Sequence, residues 1–159
     1  MKVELKNIKI AEFASHETTC YEATVYVDGV RAFTASNDGN GGTDFYYPFP
    51  GKRDLMNAAE DWAKTLPAIE CYGTKLDSDL ELVIGDLLNE EMLRRDRKSA
   101  AAKGIAFHPD GDKGKIATFP FRGKLTAAQR EKARARWIPE LQVKHPDAIF
   151  FDGQGRYIK

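Results

Sequence analysis

Between Leu80 and Met92 the apolar residues Leu80, Val83, Ile84, Leu87, Leu88 and Met92 recur at the three-and-four spacing that lines one side of an α-helix. Ser78 followed by Glu81 has the form of a capping box, so the helix is expected to open there. The pattern continues as Arg94, Arg95, Asp96, Arg97 and Lys98, then three alanines and Lys103, and stops at Gly104, a residue that suits a helix C-terminus. One long helix over 77–104 is predicted, apolar in its first part and basic in its second.

Upstream the period is two. Val3, Leu5, Ile8 and Ile10 alternate with charged residues, slipping at Asn7, which predicts a strand with a bulge. The run 20–27 leads to Asp28-Gly29, a two-residue hairpin signal, and Val30–Ser36 returns as its partner. After the glycine-rich turn 37–42 comes the aromatic run Phe45, Tyr46, Tyr47 and Phe49. These connections are too short for crossovers, so the first fifty residues predict an antiparallel β-meander.

A helix capped by Asp54, with Leu55, Ala58, Ala59, Trp62 and Leu66 on one face and an end at Pro67, is expected to cover it. Ala68–Thr74, with Cys71 and Tyr72, reads as a short extended or irregular piece. Downstream, 105–108 and 115–121 predict a hairpin or loop, and Thr126 with Gln129 a second capping box. That box opens a helix which Pro139 is expected to end near Ile138. A closing hairpin over 148–158 follows. The fold class is therefore α+β: an antiparallel β-meander covered by a helix, a long central helix, and a smaller basic C-terminal αβ lobe. The domains expected are 1–98 and 99–159, or one continuous domain.

Composition alters this picture through charge alone. The chain is neutral, yet residues 1–91 carry 8 basic and 17 acidic side chains, and residues 92–159 carry 16 and 7. Opposite halves either neutralise one another or leave a basic surface for an anionic partner. The apolar content of 42% is that of a globular chain, and no run approaches the roughly 20 apolar residues of a membrane span. A cytoplasmic location without membrane contact is the expectation, with Cys20 and Cys71 as thiols.

Candidate chemistry is sparse. The turn 37–42 lacks the lysine and hydroxyl of a phosphate loop, and Asp38, Asn40 and Asp44 lack the frame of a calcium loop. His16, His108 and His145 are too scattered for a zinc site, so no metal or cofactor is expected. His108-Pro-Asp110 and His145-Pro-Asp147 each set an imidazole near a carboxylate, either for acid–base work or as turn punctuation.

The basic cluster carries more. At about 100° per residue, Arg130 and Arg134 fall on one flank of the last helix and Lys132 and Arg136 on the other. Between them Ala127, Ala128, Ala135 and Ile138 form a stripe able to pack on a sheet. With Arg94, Arg95, Arg97 and Lys98 these residues make a candidate phosphate-binding surface, and Tyr46 and Tyr47 a candidate anchor for a protein partner.

The segments Ala23-Thr-Val-Tyr-Val-Asp-Gly29 and Thr34-Ala-Ser-Asn-Asp-Gly-Asn-Gly-Gly42 resemble small uncharacterised proteins of bacterial phages and plasmids. The resemblance covers about the first fifty residues and implies a mobile-element accessory role, with inhibition of host defence, such as anti-CRISPR action, foremost. The function expected is therefore non-catalytic binding of a host protein complex or its nucleic acid. The alternatives are a nuclease or phosphoesterase built on His108 or His145, and a DNA-binding regulator.

Overall fold

The computed structural model describes residues 1–71 and 73–158, with the Cys71 side chain outside the description. The reading of Tyr72 and of the Cys71 thiol therefore lies outside the described residues, whereas Cys20 is a free thiol. The fold is α+β, in two compact units, Met1–Asn89 and Glu90–Lys159. The division falls inside the long helix, earlier than the boundary after Lys98 that composition suggested. Leu88 is the last helical residue in the first core, while Arg94 and Arg97 bond to the segment 154–157.

In the first unit, β1 (Val3–Ile10), β2 (Tyr21–Val27), β3 (Val30–Asn37) and β4 (Phe45–Pro48) form an antiparallel sheet in sequence order. The β1–β2 register shifts between Lys6 and Lys9, and Asn7 has φ 54°, the expected bulge. Asp28 (φ 48°) and Gly29 (φ 80°) are both left-handed, which is what a tight hairpin turn of this hand requires. Val3, Tyr21, Ala23, Val25, Val27, Phe33 and Ala35 point to one side and are buried there.

α1 (Arg53–Ala63) covers that side with Met56, Ala59 and Ala63, a face turned slightly from the one expected, since Ala58 is exposed. Asp54 does not cap it. The chain enters from a backbone turn in which the Lys52 N–H bonds to the Phe49 carbonyl, and Asp54 sits in the first helical turn. Where a short extended or irregular piece was expected over 68–74, β5 (Ile69–Cys71) and β6 (Thr74–Leu76) pair antiparallel.

α2 (Leu80–Lys103) opens one residue later than the Ser78 box implied. Asp79 Oδ1 accepts from the Leu82 N–H at 2.8 Å and caps it, while the Ser78 hydroxyl donates to the Pro67 carbonyl at 2.6 Å. Ser78 is buried, and its hydroxyl is committed to that carbonyl rather than to the helix N-terminus.

In the second unit β7 (Gly104–His108) lies between β8 (Ala117–Pro120) and β9 (Ile149–Phe150), all antiparallel. The chain end turns on Asp152 and returns with a bridge between Phe151 and Tyr157. α3 (Ala127–Lys144) begins with the expected capping box of Thr126 and Gln129 but runs through Pro139 rather than stopping there. Proline forfeits its own N–H bond and its ring crowds the carbonyl one turn back, but the turn beyond it is anchored. Leu141 packs on the sheet, and the Gln142 amide donates to the Pro146 and Ala148 carbonyls. The packing side of α3 is Arg134, Ile138 and Leu141, not the expected alanine stripe, of which Ala127, Ala128 and Ala135 are exposed.

Candidate functional site

The arginines in the second half of α2 are spent within their own unit. Glu91 bridges Arg94 (Nε at 2.7 Å) and Arg95 (Nε at 2.9 Å), and Arg94 also donates to the Gln154 carbonyl. Those guanidinium groups hold the Glu91 carboxyl down at about 2 against the opposing effect of burial. Arg97 is 2% exposed. Its Nε donates to the Gly155 carbonyl at 2.9 Å and its Nη2 to Glu90, and the guanidinium lies 4.7 Å from the Tyr157 ring. Gly155, at φ 75°, rests on the α2 backbone so closely that a methyl group there would meet the Arg94 carbonyl oxygen at 2.5 Å. Lys98 alone of the four is exposed without a partner among the described residues.

α3 divides its cations. Arg134 is 3% exposed, with Nη1 on Glu131, Nη2 on the Ala101 carbonyl and the Phe121 ring 5.6 Å away. Arg97 and Arg134 are thus interior side chains, a correction to the expected surface array. In so small a core their long stems supply apolar volume while their heads reach nearby carbonyls and carboxylates. Arg130, Lys132 and Arg136, by contrast, make no ion pair among the described residues, nor do Arg122 and Lys124 just before the helix. Arg136 does lie over the Trp137 ring, at 4.9 Å.

Beside these free cations is a hollow of about 560 Å³ between β8 and α3. Phe119, Phe121, Leu125, Trp137 and Leu141 make most of its wall, and Arg122 is the charged group in it. Sequence reasoning missed Phe119, Phe121, Leu125 and Trp137. The available signals were Phe119-Pro-Phe121 beside Arg122, and a tryptophan set among arginines on a helix otherwise short of aromatics.

Tyr46 and Tyr47 belong to the first unit, and as neighbours on a strand they part. Tyr46 turns inward, edge-on to Phe33 at 5.7 Å, with its hydroxyl on Asp44; Tyr47 is 63% exposed. Asp44 also accepts from the Tyr21 hydroxyl and from Asn37, and burial together with that carboxylate pushes both phenols well above the ordinary tyrosine range. The glycine-rich turn is likewise turned in on itself, because Asn37 bonds to Thr18, Gly39 and Gly42, and Asp38 accepts from the Asn40 N–H.

Among the described residues neither histidine bonds to the Asp two positions on, which leaves the His-Pro-Asp segments without the acid–base contact. His108 is 1% exposed, and its Nδ1 lies 2.7 Å from the Lys115 carbonyl, which can only accept, so Nδ1 carries the proton. His145 ends α3 with its ring near Phe107 and Phe119, while Asp110 and Asp147 are exposed. Among the described residues no group of three or more His, Cys, Asp or Glu is placed to hold a metal ion. No helix among them is long and apolar enough to cross a membrane.

Comparison with known proteins leaves the geometry to speak alone. No family model, no curated protein and no solved structure matches this chain.

Proposed function

We propose that the chain is a non-catalytic accessory protein that binds nucleic acid, or a host complex carrying it, through the second unit. The observation behind this reading is the free charge. Arg122, Lys124, Arg130, Lys132 and Arg136 make no ion pair among the described residues, although Glu90, Glu91, Glu131 and Asp152 elsewhere in the unit are taken up by other arginines. Unpaired cations along one helix and the segment before it are the footprint of a phosphate-contacting surface that is blind to sequence. An acid–base role for His108 or His145 has less support, since their rings face a carbonyl and aromatic side chains. In a phage or plasmid setting, nucleic-acid binding by a small accessory protein is the chemistry of an inhibitor of a defence complex.

Fluorescence anisotropy with a labelled oligonucleotide tests the reading. Affinity should fall by about tenfold or more between about 50 and 200 mM salt, as it does when several phosphates are neutralised. The triple reversal Arg130→Glu, Lys132→Glu and Arg136→Glu should abolish binding without unfolding the chain, because none of the three is buried. Salt-independent binding, or binding unchanged by the reversal, overturns it.

A further inference from the structure

The hollow between β8 and α3 is too large to be a packing fault. At about 560 Å³ it lies within the roughly 300–1,000 Å³ range of ligand pockets. Two of its aromatic walls are far from buried: Phe119 is 38% exposed and Trp137 44%. Each has a neighbour on one side. Phe119 stacks on Phe107 with centroids 5.3 Å apart and rings 12° from parallel, and the Arg136 guanidinium lies over Trp137. Aromatic faces that remain accessible suit a flat apolar group.

We infer that this pocket takes an unstacked base of single-stranded nucleic acid, with the flanking phosphates on Arg122 and Arg130; the inference rests on the reading above and names its substrate class. Arg122 is part of the pocket wall. Arg130 precedes Ala133, another wall residue, by one helical turn on the same face.

The charge selects the occupant. Arg130 and Arg136 stand about 9 Å apart along the helix axis and on different flanks of it, so a single carboxylate at the pocket mouth would leave most of the free cations unused, whereas a polyanion crossing the pocket can meet cations on either side. A peptide fits less well. The outer edge of β8, where a strand would add, contains Pro120, which has no N–H to offer. In a duplex the bases are already stacked within the helix and cannot enter, so the pocket predicts a preference for single strands.

The test uses the full chain, an oligothymidylate of about 12 nucleotides and a duplex of equal length. The single strand should bind about tenfold tighter or more. Trp137→Ala and, separately, Phe119→Ala should each lower the single-strand-to-duplex affinity ratio by about tenfold, the range of one lost base–aromatic stack, and Trp137→Phe should restore most of it. An unchanged ratio in Trp137→Ala, with binding still lost on reversal of Arg130 and Arg136, overturns the inference and leaves the broader reading standing. Failure of the wild-type chain to bind either oligonucleotide removes both. Displacement of the oligothymidylate by a tryptophan-containing acidic peptide at equal charge concentration assigns the pocket to a protein partner and also overturns it.

Discussion

The two units solve the same packing problem with different materials. In the first unit fourteen hydrophobic residues are buried in one cluster, while the two clusters of the second unit hold four and three among the described residues. The second unit makes up the difference with Arg97, Arg134 and His108, all under 4% exposed. Residues 1–89 carry 8 basic and 15 acidic side chains, residues 90–159 carry 16 and 9. A surplus of arginine thus serves the second unit twice, as filler where heads find internal partners and as free surface where they do not. The difference teaches that charge counts alone do not locate a binding face; each head group has to be followed to its partner.

The largest effect that sharpens the contrast is expected in the first unit. Phe33 is fully buried at the centre of its sheet, so Phe33→Ala should cost about 3–5 kcal/mol through lost burial and the cavity left behind. Native-state hydrogen exchange at β2 and β3 amides measures this directly. A cost below about 1 kcal/mol would show that the core can collapse around the gap, and the contrast in packing would lose its basis.

The second effect separates stem from head in the other unit. Arg97→Ala removes the buried aliphatic stem, takes the guanidinium off the Tyr157 ring and leaves the Gly155 carbonyl without its donor, and should cost about 3 kcal/mol. Arg97→Met returns the stem alone and should recover about half of that. Exchange at β7 amides reads both. Equal losses in the two variants would mean that hydrogen bonding, and not filling, is what this arginine contributes.

What was legible beforehand follows from the range of the interactions. Asp28-Gly29 and the pair Thr126 and Gln129 are satisfied within a few residues, so their turn and cap could be read from neighbours alone. Ser78 carried the same local signal, but its hydroxyl has a partner at Pro67, eleven positions away, which outbids the local cap. The end of α3 was misplaced because Leu141 and Gln142 hold the helix past Pro139 through contacts with the sheet and the following loop. The candidate site suffered most. Arg130 and Arg134 share a flank on a helical wheel, yet one is free and the other buried, because the carbonyl that captures Arg134 comes from Ala101, 33 residues away in sequence. The aromatic pocket had no local signature beyond its composition, since its walls come from different elements.

The smallest effect sets two glutamates of α2 against each other. In the second unit Glu91 is held at about 2, down from an ordinary 4.5, by Arg94 and Arg95. A carboxyl lowered on folding stabilises above its unfolded value, and that contribution is lost as pH falls through the folded one. Glu91→Gln should therefore weaken the second unit by about 1 kcal/mol at pH 7, with the difference from wild type shrinking between about pH 5 and pH 2. Glu81, in the first unit, is shifted the opposite way: burial raises its carboxyl and the nearby Asp44 carboxylate adds to the rise. The sign reverses with it. An acid raised on folding is a penalty at neutral pH that fades as pH falls through its folded value, so Glu81→Gln should strengthen the first unit at pH 7 and lose that advantage in acid. Hydrogen exchange of β2 amides for one variant and β7 amides for the other, followed from pH 7 downward, gives two trends of opposite slope if each glutamate acts through the partners named. Parallel trends would mean that a global charge effect governs both, and the distinction between a paired and a crowded carboxylate would have no energetic content.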